Sequence, residues 1–212
     1  PNWLIFQLPP LIALDVARIV HLIMAGVGAG LITLRLTGSR TGAIATALVA
    51  VLCGGIVSKL EWTQVVTVYG WMPWVVLPVV WRRPAPTRGL VALSGVLWGV
   101  QALGGHPPYW VLTGLVVAIT LLVQDPGRRA LGRLALFVVA GAAIGAVQLI
   151  PTAILTTLSW RAEGVGSAAL FEYSATPFDI LAIAFGNAFM PATGDAVDLR
   201  QSWYPGGSVW AT

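Results

Sequence analysis

The chain has 212 residues, of which 57% are hydrophobic and 9% charged, with a net charge of +4. Ordinary soluble domains carry roughly 45–50% apolar and about 25% charged residues, so a water-soluble fold is excluded. The basic balance is not a nucleic-acid footprint either, because the arginines are dispersed between apolar runs rather than gathered on one face.

A helix needs about 20 mainly apolar residues to cross a hydrocarbon core of roughly 30 Å. In chain order, six segments meet or approach this length: Ile12 to Leu36, Thr41 to Ser58, Val65 to Val80, Gly89 to Leu103, Tyr109 to Val123 and Leu134 to Ile150. The fold class is therefore all-α, a polytopic transmembrane helix bundle of about six spans over residues 1–150, followed by an extracytoplasmic loop segment over residues 151–212. The short spans require tilting, bilayer thinning or a broken helix. Pro73 and Pro78 each remove a backbone donor from the third segment, which predicts a kink or a re-entrant turn there.

Arg35 with Arg40, Arg82 with Arg83 and Arg88, and Arg128 with Arg129 and Arg133 occupy three of the connections. Lys and Arg accumulate in short cytoplasmic loops, and two crossings separate each cluster from the next, so all three clusters fall on one side. The connections Lys59 to Gln64 and Gly104 to Pro108, the first eleven residues and the tail after Pro151 then face outward. Seven of the eight acidic residues lie on or near that outer side, Asp125 being the exception.

Within the spans, Gly26 with Gly30 and Gly141 with Gly145 are Gly-x-x-x-Gly pairs, which let helix backbones approach closely in lipid. The single cysteine, Cys53, lies in an apolar run and reads as a small packing residue. The tail carries Arg161, Glu163, Glu172, Asp179, Asp195, Asp198 and Arg200, and its composition predicts short helices near Thr152 to Ser159 and Pro177 to Phe185. Trp160, Trp203 and Trp210 suit a headgroup-level interface.

Polar residues able to carry chemistry collect on the outer side. Asp15, Arg18 and His21 are three residues apart and share one helical face, where an internal salt bridge and a substrate contact are the alternatives. Lys59 and Glu61 enter the second outer connection beside Trp62, either as an interfacial anchor or as part of a substrate groove. His106 stands in a Gly-Gly-His-Pro-Pro turn that holds its imidazole in place, either as a structural turn or as a group that exchanges a proton or binds phosphate. Arg161 offers a planar donor fork suited to a lipid-linked phosphate, and Glu172 lies beyond the small-residue stretch that follows it. No metal-ligand spacing, phosphate loop or serine-nucleophile elbow occurs.

The run Gly54-Gly55-Ile56-Val57-Ser58-Lys59-Leu60-Glu61, the stretch Gly70-Trp71-Met72-Pro73-Trp74, the turn at Gly105 to Pro107, and Gln148-Leu149-Ile150-Pro151 leading to Ser159-Trp160-Arg161 resemble, in this order, the YfhO-like bacterial membrane proteins. Tyr173, Pro177 and Tyr204-Pro205-Gly206 extend the pattern, while Trp62 stands where a His is frequent and Pro108 where a Gln is common. Such proteins are similar to the GT-C class of polytopic glycosyltransferases. The resemblance implies transfer of a sugar from a polyprenyl-phosphate carrier to a cell-envelope glycan or polymer acceptor, on the outer face of the bacterial cytoplasmic membrane. It also implies an acidic base or metal ligand in a first outer loop, expected upstream of Pro1, so a divalent metal stays open. Lys59, Glu61, His106, Arg161 and Glu172 are then the substrate-binding candidates. The alternatives are a transporter or flippase for a lipid or small solute, and a non-catalytic envelope scaffold.

Overall fold

The computed structural model describes residues 8–82 and 84–159. Among these residues it is entirely helical: α1 (Pro10–Thr37), α2 (Arg40–Leu52), α3 (Gly54–Val57), α4 (Thr63–Trp81), α5 (Arg88–Ala102), α6 (Pro107–Gln124) and α7 (Arg128–Thr157). Counting α2 and α3 together, five helical segments are long and apolar enough to cross a membrane. The exception, α5, has 15 residues and measures about 22 Å at the helical rise.

Local sequence sets the ends. Gly38 adopts a left-handed φ of 71° that few other residues reach, and its amide closes α1 on the Leu34 carbonyl. The Ser39 and Thr87 hydroxyls cap α2 and α5 by accepting from the amides of Gly42 and Leu90. Pro107 and Pro108 open α6, where a missing N–H costs nothing.

The helices alternate in direction, which places the α1–α2, α4–α5 and α6–α7 connections, and with them the arginine clusters, at one end of the bundle. The opposite end, called the Glu61 end below, holds the start of α1, the 58–62 turn and the α5–α6 turn. α4 is the central helix, packed against α1, α5 and α6. Its residues Val75, Leu77, Val79 and Val80 join Val91, Val117, Leu121 and Phe137 in the main core. The outer surface is apolar, with Ile19, Ile23, Ile44, Leu48, Val49, Val111 and Val139 among the exposed side chains. A surface of this kind is stable against lipid, and the chain is a helical membrane protein.

Close backbone approach holds the outer helices. A β-carbon at Gly26 would lie 2.8 Å from a Val51 methyl, and one at Gly30 would lie 3.0 Å from the Ala43 carbonyl, so this pair seats α1 on α2. A β-carbon at Gly99 would lie 2.6 Å from both the Gly141 carbonyl and the Ile144 β-carbon, which seats α5 on α7. Both Gly-x-x-x-Gly pairs are thus helix-packing surfaces.

The prolines behave differently from expectation. α4 runs unbroken through Pro73 and Pro78, and α7 runs through Pro151 to Thr157 rather than stopping at Ile150, so the short helix expected from Thr152 is its continuation. In each case a hydroxyl or amide serves a carbonyl next to the one the proline leaves without a donor. Gln101 Nε2 donates to the Val68 carbonyl at 2.9 Å, the Ser94 hydroxyl to that of Val75 at 2.6 Å, and the Thr152 hydroxyl to that of Gln148 at 2.7 Å. These bonds tie α4 to α5 and close a turn within α7, but they fall one residue away from the carbonyls of Tyr69, Trp74 and Val147 that the prolines free. The break instead falls in the second segment, where Cys53 is extended between α2 and α3 (φ −62°, ψ 138°).

Candidate functional site at the Glu61 end

α1 and α4 run side by side in the same direction, so the start of one meets the start of the other. Arg18 uses all three guanidinium nitrogens there. Its Nη1 donates to Asp15 Oδ1 at 3.0 Å, its Nε to the Thr63 hydroxyl at 3.1 Å, and its Nη2 to the Glu61 carbonyl at 3.3 Å. The internal ion pair and the tie to the neighbouring helix account for the charge in this span. His21, on the same helical face, does not join them. Its ring is fully buried, and its Nδ1–H donates to the Ala17 carbonyl at 2.7 Å. That bond fixes the tautomer, because a carbonyl only accepts, and it leaves Nε2 as an acceptor with no hydrogen-bond partner. α4 approaches at Gly70, where a β-carbon would lie 2.7 Å from the His21 carbonyl.

The 58–62 turn holds two of the candidates, both exposed. Lys59 Nζ lies 5.6 Å from the centre of the Trp62 ring, and Glu61 Oε1 accepts from the Trp62 indole N–H at 2.8 Å. The pair thus flanks one tryptophan, a cation over its face and a carboxylate at its edge. This arrangement fits an interfacial anchor and leaves both charges accessible from the same side.

His106 precedes α6, its ring 5.1 Å from that of Tyr109, with Nδ1 buried and without a partner. Tyr109 meets Tyr69 of α4 edge-on at 6.4 Å. Tyr69, Tyr109 and Leu60 all pack against the cluster of Ile56, Val65 and Val66, which gathers the 58–62 turn, α4 and the start of α6 into one patch. Beneath it, Gln101 is completely buried, its Nε2 shared between the Val68 carbonyl and the Thr113 hydroxyl at 2.9 Å each, its Oε1 unpartnered. Arg161 and Glu172 lie outside the described residues, as do Trp160 and the helix expected near Pro177.

At mid-depth the bundle carries an apolar groove of about 220 Å³ between α1, α2, α4 and α6, lined among others by Ile32, Thr33, Thr46, Pro73, Thr113 and Val116. The Thr33 and Thr46 hydroxyls are bonded to each other at 3.0 Å, so its wall presents little free polarity. No group of three or more His, Cys, Asp or Glu side chains is placed to hold a metal among the described residues. Sequence reading missed Gln101, Ser94 and Tyr69. Their signal was a lone polar residue inside an otherwise apolar span, which in lipid has to find a partner. Comparison with protein-family models, characterised proteins and solved structures found no match to this chain.

Proposed function

We propose that this chain supplies the carrier-binding part of a GT-C-like membrane glycosyltransferase, which transfers a sugar from a polyprenyl-phosphate carrier to a cell-envelope acceptor at the Glu61 end. The observation that carries the reading is the separation of polarity along the spans. Arg18, Lys59, Glu61 and His106 stand at one end, and an apolar groove lies at mid-depth. A lipid-linked phosphate needs both: donors at headgroup level that stabilise charge on the leaving phosphate, and apolar surface for its tail. Lys59 is the donor free to serve a phosphate, because Arg18 is already tied to Asp15 and Thr63. The resemblance described above supports the same assignment.

The test is photocrosslinking of the purified chain in phosphatidylcholine vesicles with a polyprenyl phosphate that bears a diazirine in its tail. Labelling of groove residues, competed by unlabelled polyprenyl phosphate and weakened by Lys59→Ala, is the expected result. Labelling that polyprenyl alcohol competes equally well would refute phosphate recognition. The transporter reading draws on one observation, the helix broken at Cys53. Transbilayer movement of a fluorescent polyprenyl phosphate in the same vesicles, without sugar transfer by membranes containing the whole gene product, would favour it.

A further inference from the structure

The break in the second span has a built-in fastening. In an unbroken helix the Gly54 amide would donate to the Ala50 carbonyl, but the extended backbone at Cys53 ends that ladder. The carbonyl is not left bare: the Tyr69 hydroxyl reaches across from α4 and donates to it at 2.9 Å. Inside a membrane protein an unsatisfied carbonyl is costly, so this bond fixes the end of α2 against α4.

Beyond the break the chain is lightly held. α3 is four residues long, far short of a helix that persists by itself. A β-carbon at Gly54 or Gly55 would meet no atom within 4 Å. The segment rests on Ile56, which is 2% exposed, and on Leu60, both set over Val65, Val66, Tyr69 and Tyr109. At its far end Arg18 holds the Glu61 carbonyl. This is a short piece with unpacked glycines at one end, two apolar feet beneath it, one hydrogen bond at its far end from Arg18, and one just before its root, from Tyr69 to Ala50 of α2. Low local packing of this kind marks the parts of a fold that open first.

We infer that residues 53–62 form a lid over the Glu61 end of α1, α4 and α6, hinged at Cys53 to Gly55 and latched at its root by the Tyr69 hydroxyl on the Ala50 carbonyl. The lid carries Lys59 and Glu61, so its position sets where these two charges stand relative to His106 and Tyr109. When it lifts, the apolar patch around Val65 and Tyr109 opens toward the interface. This inference requires only that the bundle sits in a membrane and is independent of the chemistry proposed above.

The Tyr69 hydroxyl also reaches the Cys53 thiol, so the reporter is Val65→Cys in a Cys53→Ser background, a position 2% exposed beneath the lid, and that background serves as the wild type of the comparison. The experiment is the rate of N-ethylmaleimide labelling of the purified 212-residue chain in phosphatidylcholine and phosphatidylglycerol vesicles. Tyr69→Phe removes the latch and keeps the ring, and it should speed labelling about fivefold, the shift that loss of one hydrogen bond produces. The double change Gly54→Ala with Gly55→Ala fits the open space and stiffens the hinge, and it should slow labelling several-fold. Ser94→Ala removes the Ser94–Val75 hydrogen bond between α4 and α5, away from the lid, and should label at the wild-type rate. Three outcomes overturn the lid: Tyr69→Phe labelling at the wild-type rate, Ser94→Ala accelerating as much as Tyr69→Phe, or the glycine pair having no effect.

Discussion

Replacing Gly99 by alanine tests whether close approach of α5 and α7 holds this bundle together. The added carbon would stand 2.6 Å from the Gly141 carbonyl and from the Ile144 β-carbon. Neither neighbour is the free end of a flexible side chain, so the helices must part by about 0.8 Å to restore ordinary contact, a gap that forfeits a quarter to a half of each dispersion well along the seam. The loss spreads to Gly95, which meets the Phe137 carbonyl, and to Trp98, which stacks on Phe137 at 4.8 Å. Overpacking of this kind costs about 1–3 kcal/mol. Gly132→Ala is the matched control, because a β-carbon there meets nothing within 4 Å and alanine should gain up to about 1 kcal/mol of helix propensity. Thermal unfolding of both variants in detergent micelles, followed by circular dichroism, should show Gly99→Ala melting well below the wild type and Gly132→Ala at or above it. Equal melting temperatures for the two variants would refute the argument that backbone proximity, rather than general apolar contact, joins these helices.

Trp98 and Trp110 stack at 4.4 Å and exchange two hydrogen bonds, each indole donating to the other's carbonyl at 2.9 and 3.0 Å. Trp98→Phe and Trp110→Phe should each lower stability by about 0.5–1.5 kcal/mol, and the double variant by less than the sum, which chemical unfolding of the three variants measures; strict additivity would show that the two bonds are independent. In a Cys53→Ser background, single cysteines at Ser39, Ala85 and Pro126 should react with an impermeant maleimide from one side of sealed vesicles, and those at Lys59 and Leu103 from the other. Reaction of Ala85→Cys from the same side as Lys59→Cys would overturn the alternation of α4 and α5 across the membrane.

Much of this architecture was readable from the chain, because lipid imposes a simple rule: a span is long, apolar and bounded by charge or turn residues. All six expected segments are helical, four of them within two residues of their predicted limits, while the second is broken at Cys53 and the sixth extends six residues earlier and seven later than expected, and the two glycine pairs lie where helices touch. The third segment forms one continuous helix through both prolines, and the interruption lies in the second. Pro73 and Pro78 are conspicuous in sequence, yet α4 stays helical through both, and the ties from Ser94 and Gln101 of α5 that hold it beside them have no local pattern to announce them. The real break follows Cys53, where the consecutive glycines Gly54 and Gly55 were the available sign. At the Glu61 end the sequence marked the right residues but not their parts. Asp15, Arg18 and His21 share a face as the spacing requires, while only tertiary placement shows that Arg18 grips a backbone carbonyl of the 58–62 turn and that His21 is sealed against Gly70.

The shortness of α5 has a bearing on the membrane itself. Its helix of about 22 Å falls some 8 Å short of a typical hydrocarbon core, and it ends in the tight turn at Leu103 to His106, where Gly105 takes a φ of 77°. Leu93 and Val96 keep part of its flank facing outward. Lipids at full thickness beside that flank would bury the polar backbone of the turn, a mismatch that local thinning of the bilayer relieves. A bilayer that thins beside this flank would accommodate the short helix and would bring water and lipid phosphates toward the turn beside His106.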